Sequence, residues 1–263
     1  MKEEILALLK KQDDFVSGQS LADQFHITRA AVWKHIDALR KQGYEIQSVP
    51  AKGYRLCFAP NTMYGSEIAP FLQTEFIGRN YKYEEEVTST NTVLKALAEK
   101  GAPAGTVVAA GSQTGGKGRL GRKFICAPHS GIWFSILLRP DFPPQIAGVI
   151  TLMAAVSVAQ ALDKWGVPAK IKWPNDILLQ GKKLCGILTE MRGDMDHVEW
   201  LIVGIGVNVS ATAATMPEEL QAAATSLAMS GYGNIKQTEL AGEILKKLEE
   251  NYQILCTEGS GPI

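Results

Sequence analysis

The sequence is poor in the residues from which metal centres and disulfide frameworks are built, with four cysteines and four histidines in 263 residues. Cys57, Cys126, Cys185 and Cys256 stand far apart, without a CxxC pair or a neighbouring histidine cluster. That pattern argues against zinc ligands and disulfides, and predicts reduced, mostly buried thiols in a cytoplasmic protein. An excess of either charge is also missing: 27 Lys and Arg balance 27 Asp and Glu. Any binding of nucleic acid must therefore come from a local patch rather than a global field. The opening MKEEILALLKKQDD has no uninterrupted apolar region, so it is not a secretory signal. The longest uncharged run, between Asp141 and Asp163, is borderline in length for a membrane span. Its hydroxyl and amide residues, and the want of flanking basic clusters, predict a buried helix and no membrane partner. No internal repeat or low-complexity tract stands out.

Two blocks of pattern remain. In the first, Ile5, Leu6, Leu8 and Leu9 form the apolar stripe of a helix, and Ser17-Gly18 precedes a short second helix. His26-Ile27 makes a tight turn, and Thr28 caps a third helix that ends at Gly43. Within it Ala31, Val32, Ile36 and Leu39 face inward, leaving Arg29, Lys34, His35, Arg40 and Lys41 toward solvent. The strands YEIQSV and YRLCF follow, joined by the turn from Pro50 to Gly53. This order is that of a winged helix-turn-helix, whose third helix enters the major groove while the wing meets backbone. Residues 1 to 58 hold nine Lys and Arg against seven Asp and Glu, so the positive charge is focused on one helix rather than spread. The candidate DNA contacts are Thr28, Arg29, Ala30, Trp33, Lys34, Arg40 and Lys52. A winged helix used for protein contacts is the competing reading. A turn-rich connector, APNTMYG, puts the boundary near residues 60 to 65, giving domains 1–60 and 61–263.

The second block predicts an α+β domain with a mixed, mostly antiparallel sheet. A buried strand, TVVAAGSQ, runs straight into the loop Thr114 to Arg122. Four glycines there allow close backbone approach and leave N–H groups free for a ligand. Lys117, Arg119 and Arg122 suit a phosphate-linked ligand, although the GxxxxGK[ST] pattern of a P-loop is absent. A flexible basic surface loop is the alternative. Thr88-Ser89-Thr90-Asn91, between a strand and a helix, offers capping or a small polar subsite. Lys172-Trp173-Pro174-Asn175-Asp176 puts a cation, an amide and a carboxylate at a strand end, with Asp176 a candidate magnesium ligand. Lys183 opens the strand KLCGILTE, within reach of the same cleft.

The ordered set STN, QTGGKGRLGR, KWPNDI, KKLCGILTE and GIGVNV resembles the bacterial biotin–protein ligases. With the winged helix in front, the resemblance is to the bifunctional kind that also represses biotin synthesis genes. It implies an N-terminal winged helix-turn-helix joined to a catalytic domain of the biotin/lipoate ligase type. It implies an ATP-dependent ligase that forms biotinyl-5′-AMP and transfers biotin to a lysine of a carboxylase subunit. By position it assigns Ser89, Thr90, Asn91, Gln113, Lys117, Gly118, Arg119 and Lys183 to biotin. ATP would meet Arg119, Arg122, Lys172, Asn175, Asp176, Lys183 and Asn208, with magnesium on Asp176. Lys183, Arg119 and Asp176 would be the catalytic groups. Biotin is then a substrate, ATP and Mg²⁺ co-substrate and activator, and no cofactor is tightly bound. The implied partners are a biotin-accepting carboxylase subunit, operator DNA and a second copy of the chain in a homodimer. A ligand-sensing repressor with weak or no ligase activity is the alternative. Lys117 stands where many members have Arg, and Phe124 where some have Trp. The resemblance implies a small β-barrel at the end of the chain, and set against it the sequence, which ends Gly259-Ser260-Gly261-Pro262-Ile263, carries the expectation of a barrel absent or truncated.

Overall fold

The computed structural model describes residues 1–259 and residue 261. Ser260, Pro262 and Ile263, on which the expectation about the barrel turns, lie outside the described residues. Two compact units emerge, Met1–Asn61 and Thr62–Ile263.

In the smaller unit, α1 (Lys2–Lys10), α2 (Gly18–Gln24) and α3 (Arg29–Lys41) precede the hairpin β1 (Glu45–Val49) and β2 (Gly53–Phe58). Thr28 caps α3 as the sequence suggests, and Ser17 proves to cap α2. Ser17 Oγ accepts from the Ser20 N–H at 2.9 Å, and Thr28 Oγ1 accepts from the Ala31 N–H at 3.2 Å. Each satisfies a donor that the first helical turn leaves without a partner. Ile5, Leu6, Leu9, Leu21, Val32, Ile36 and Leu39 are buried, while Leu8 and Ala31 are only half-buried. Val16 forms an isolated antiparallel bridge to Tyr54 of the hairpin. That bridge explains Gly53: its φ is +109°, and an added Cβ would lie 2.0 Å from the Val16 carbonyl oxygen.

The larger unit contains α4 (Gly65–Ile68), β3 (Tyr81–Val87), α5 (Thr90–Glu99), β4 (Val107–Gln113), β5 (Gly131–Leu138) and α6 (Ala147–Asp163). It continues with β6 (Lys170–Lys172), β7 (Asp176–Leu179), β8 (Lys182–Gly193), β9 (Val198–Asn208), α7 (Glu218–Gln221) and α8 (Gln237–Glu258). The strand order is β3-β4-β5-β9-β8-β7-β6; β3 and β4 run parallel and every other pair is antiparallel. The architecture is thus α+β with a mixed, mostly antiparallel sheet.

The apolar run between Asp141 and Asp163 contains α6, a buried helix that packs with α8 over one face of the sheet. Among the described residues no helix is long and apolar enough to cross a membrane. Between α6 and α8, Asn251 Nδ2 donates to Ser157 Oγ at 2.8 Å and to Gln160 Oε1 at 2.9 Å, so this buried amide is paired. The opposite face is covered only in part. There α5 packs Leu94 and Ala98 on Val108, Leu137, Trp200 and Ile202, and past its first turn the sheet is left open.

Glu249, on α8, is 5% exposed and ties down the segment before β3. Its carboxylate accepts from the N–H groups of Glu75 (2.5 Å), Phe76 (2.9 Å) and Ile77 (2.7 Å). Removing the acceptor leaves three backbone donors without this partner, the Ile77 N–H among them buried. Glu249→Ala should lose roughly 3 kcal/mol from the larger unit's unfolding free energy, read from its denaturant midpoint. A loss under about 1 kcal/mol would mean that water replaces the carboxylate.

Candidate functional site

Residues directly opposite in an antiparallel pair point to one face of the sheet. On the open face, one row across β5, β9, β8 and β7 reads Trp133, Gly206, Gly186, Asp176. The next reads Ser135, Gly204, Leu188, and the third Leu137, Ile202, Glu190. Three glycines therefore strip the middle of this face of side chains. A Cβ on Gly204 would lie 2.2 Å from Asn91 Oδ1, and one on Gly206 would lie 2.6 Å from the Phe124 ring. A Cβ on Gly186 would meet that ring at 2.9 Å and Lys183 Nζ at 3.0 Å. Asn91, Phe124 and Lys183 thus rest directly on backbone. The GIGVNV and LCGIL stretches carry this signal in the sequence, but only the register shows that their glycines share a face.

Above this floor is a cavity of about 230 Å³. Of the residues singled out in the sequence, Ser89, Thr90, Asn91, Gln113, Lys117, Gly118, Arg119, Arg122, Asn175, Asp176 and Lys183 all line it. Lys183 Nζ sits 2.6 Å from Asp176 Oδ1 and 5.8 Å from the Phe124 ring centroid. Phe124 in turn meets Trp133 edge-on, with centroids 5.8 Å apart. Lys117, Arg119, Arg122 and Lys123 add four cations, whereas Asp176 is the lining's one carboxylate. The balance favours an anion.

Asn175 holds the β6–β7 turn against β8, donating from Nδ2 to the Ile187 carbonyl at 3.0 Å. Its Oδ1 accepts from Arg119 Nη1 at 3.2 Å, which draws the basic loop toward the turn. At the start of α5, Ser89 makes no capping bond; Gln113 Oε1 accepts from the Thr90 N–H at 2.8 Å instead.

Some expectations need correction. The loop glycines do not leave all their N–H groups free: Gly115 donates to the Thr88 carbonyl and Gly118 to the Arg122 carbonyl, because the loop folds back as a narrow ribbon. The glycines are there for closeness, since a Cβ on Gly116 would lie 2.3 Å from the Phe124 carbonyl oxygen. Leu120, at φ +55°, is 90% exposed at the tip. Lys172 does not line the cavity; it is exposed on the edge strand β6, opposite Asp176. Asn208 does not line it either, because its Nδ2 donates to the Thr225 carbonyl and secures the segment after β9.

In the smaller unit Arg29, Ala30, Trp33 and Lys34 are exposed along α3, with Trp33 54% exposed, and Lys52 is exposed at the hairpin turn. A shallow depression between the starts of α2 and α3 and the hairpin is walled by Ser17, Arg29, Ala30, Trp33 and Tyr54. Thr28 is exposed, with its hydroxyl oxygen engaged in capping. Arg40 corrects the sequence reading: it is half-buried and donates to the Ile46 carbonyl (Nη2, 2.6 Å; Nε, 3.0 Å) and to Ser48 Oγ (2.6 Å). It braces α3 against β1, since helical spacing turns it toward the hairpin.

Residues 83–208 match the model of the Biotin/lipoate A/B protein ligase family, and residues 2–55 match a model described as an HTH domain. The chain is 41% identical over 265 residues to a Bacillus spizizenii protein named Bifunctional ligase/repressor BirA, covering 100% of this chain and 82% of that protein. It is 29% identical over 261 residues to the protein of the same name from Escherichia coli K12, covering 98% and 78%. Among solved structures, biotin protein ligase from Aquifex aeolicus in complex with biotin and ATP matches with a TM-score of 0.60 and 33% identity. That match covers 70% of this chain and 75% of the other.

Of the four cysteines, two rather than most are buried: Cys126 and Cys185 are, and Cys57 and Cys256 are exposed. Burial pushes the Cys126 thiol up to about 11, offset in part by the Gln113 amide that donates to its sulfur. Burial likewise pushes Cys185 up to about 12. A raised folded-state pKa leaves stability intact below the unfolded value and erodes it as pH climbs through the folded one. The thiolate is the nucleophile, so these two thiols are inert at neutral pH. Alkylation of the folded protein at pH 8, read by peptide mass spectrometry, should label Cys57 and Cys256 and spare Cys126 and Cys185. Equal labelling of all four would contradict this burial.

Proposed function

Because the chain belongs to the biotin/lipoate A/B protein ligase family, among its bifunctional ligase/repressors, we propose that it joins biotin to ATP as biotinyl-5′-AMP. It then transfers the biotinyl group to a lysine of a biotin-accepting carboxylase subunit, and its winged helix-turn-helix represses transcription by binding operator DNA. The observation that carries the enzymatic reading is the cavity itself, where Lys183, Lys117, Arg119 and Arg122 face a floor of bare backbone.

The chemistry suits such a site. A carboxylic acid of ordinary pKa, about 4, is already ionised at neutral pH, so attack on the α-phosphate of ATP needs no base. Two anions must instead be brought together with the leaving pyrophosphate in line. In this reading Lys183, beside Asp176, meets the biotin carboxylate, and Lys117, Arg119 and Arg122 meet the carboxylate and phosphates. A preorganised set of cations stabilises the charge of the transition state without reorganising. The product is a mixed anhydride that water destroys, and the ribbon from Gly115 to Arg122 is the element that covers it.

Among the described residues no group of three candidate ligands could hold a metal. A magnesium ion here would arrive on the ATP phosphates, with Asp176 its protein oxygen, and would neutralise phosphate charge. In the second step the acceptor lysine, with a free pKa of about 10.4, must lose a proton to attack. In this reading Asp176, the carboxylate of the cavity lining, receives it.

The repressor half uses Arg29, Lys34 and Lys52 for phosphates and Ala30 and Trp33 for base edges; Thr28 and Arg40 keep the helix in place. Two copies of the chain would match a two-fold operator.

The test is biotin-dependent exchange of labelled pyrophosphate into ATP, which reads adenylation without the acceptor. Exchange that needs both biotin and magnesium is expected, with Lys183→Ala slowing it at least about a hundredfold. No exchange by a wild-type chain that binds biotin would contradict the ligase reading and favour a ligand-sensing repressor.

A further inference from the structure

Side chains along β8 alternate between the two faces of the sheet, with Gly186, Leu188 and Glu190 on the open one. Carried back toward the start of the strand, that alternation would put Leu184 in the cavity and Lys183 in the apolar layer beneath. The structure has it the other way. Leu184 and Cys185 are both buried in that layer, 0% and 1% exposed, while Lys183 lines the cavity. The register gives the reason: Ile177 pairs with Cys185, but Leu178, the next residue, pairs with Lys183. Leu184 is therefore an extra residue, a β-bulge, and a bulge re-aims the side chain beside it.

A bulge also disrupts the ladder where it sits, and β9 gives no support there, since its pairing with β8 begins at Cys185. The main chain of Lys183 finds its second partner elsewhere. Its N–H donates to the Ala223 carbonyl at 2.8 Å, and the Thr225 N–H donates to its carbonyl at 2.9 Å. The result is a parallel bridge between Lys183 and Ala224. The stretch Ala223 to Thr225, which follows α7, thus stands in for the strand that β9 does not supply.

That stretch is anchored at both ends. The Thr225 carbonyl is held by Asn208, as described above. At the other end Lys182 Nζ donates to the carbonyl of Gln221, the last residue of α7, at 2.7 Å. Carbonyls in the last turn of a helix lack helical partners, and a lysine ammonium is a suitable donor for them. Gln221 is fixed in turn by its own Nε2, which donates to the carbonyls of Ala213 (2.8 Å) and Met216 (3.0 Å). Lys182 does not itself line the cavity.

We propose that Lys182 is a positioning residue for Lys183. Through Gln221 it fastens the Ala223–Thr225 stretch along β8, and that stretch holds the bulged backbone from which Lys183 reaches the carboxylate of the ligand. The proposal rests on the biotin reading above, in which Lys183 meets that carboxylate. Asp176 holds the Lys183 ammonium at 2.6 Å, so the ion pair fixes the tip of the side chain and the bridge fixes its root. Loosening the root should be felt most where the ligand's negative charge is felt.

The experiment is calorimetric titration of the full chain with biotin and, separately, with biotinol, the alcohol in which a hydroxymethyl group replaces the carboxylate. Lys182→Met keeps the length of the side chain and loses the donor. It should weaken biotin about tenfold, as for a lost charged hydrogen bond, and leave biotinol within about twofold. Lys182→Arg still carries a donor for Gln221 and should recover most of the loss. Gln221→Ala leaves the net charge unchanged and loosens the same carbonyl from its other side, so the preference for biotin should fall there too. Wild-type preference in Gln221→Ala would reduce Lys182 to a distant charge and overturn the proposal. Equal weakening of both ligands in Lys182→Met, the mark of a merely structural role, would overturn it as well, as would unchanged biotin affinity. A wild-type chain that binds neither ligand would instead overturn the biotin reading, and the proposal with it.

Discussion

Everything in the larger unit that bears on chemistry depends on one constraint, the close approach of side chains to a stretch of sheet without Cβ atoms. Gly206 and Gly186 face each other across β9 and β8, with Gly204 one step along the same face. Their absence of side chains lets Asn91, the Phe124 ring and Lys183 lie on the backbone itself. A β-strand interior normally loses stability by carrying glycine. The loss is offset on the other face, where Phe134, Ile136, Ile187, Ile205 and Val207 are buried with α6 and α8. Packing strength and open surface are thus separated across one layer.

The position of the cavity follows from the length of α5. That helix covers the face as far as Leu94 and Ala98 reach, and its first turn, Thr90 and Asn91, lies where apolar packing stops. Buried polar groups there must be paired, and they are paired with one another through Ser135, Gln113 and Glu190. Farther out, Lys183 and Asp176 form the one close ion pair of the lining, and the other cations arrive on the loop from Gly115 to Arg122. A neutral hydrogen-bonding end and a cationic end therefore stand side by side, as a ligand with a polar ring at one end and a carboxylate at the other would require.

Much of this was legible in the sequence because it rests on local rules. Thr28 and Gly43 bound α3 as their cap chemistry suggests, and the periodicity of TVVAAGSQ and EWLIVGIGVNVS marks buried strands. Ser89, Thr90, Asn91, Gln113, Asp176 and Lys183 carried their chemistry in their types and in their order, and they line one cavity. What was not legible depends on register and approach. The bare floor exists because two strands align their glycines, and no single strand reveals that. Arg40 lies at the edge of the apolar stripe of α3, one turn beyond Ile36, and its guanidinium is taken up by Ile46 and Ser48 of the hairpin rather than left to solvent. Asn208 reads as a strand-end amide, but its use was decided by the segment at Thr225. Glu190 and Ser135 look like ordinary strand residues until Asn91 is placed between them.

The central claim is that the glycine floor makes the site. It is tested most directly by adding one methyl group at Gly206, where a Cβ would lie 2.6 Å from the Phe124 ring, and measuring biotin affinity alongside thermal unfolding. The account predicts a protein that still unfolds cooperatively but binds biotin at least about tenfold more weakly, because the ring is pushed into the cavity. Wild-type affinity in Gly206→Ala would show that the ring and Lys183 do not need the bare backbone, and would contradict the account.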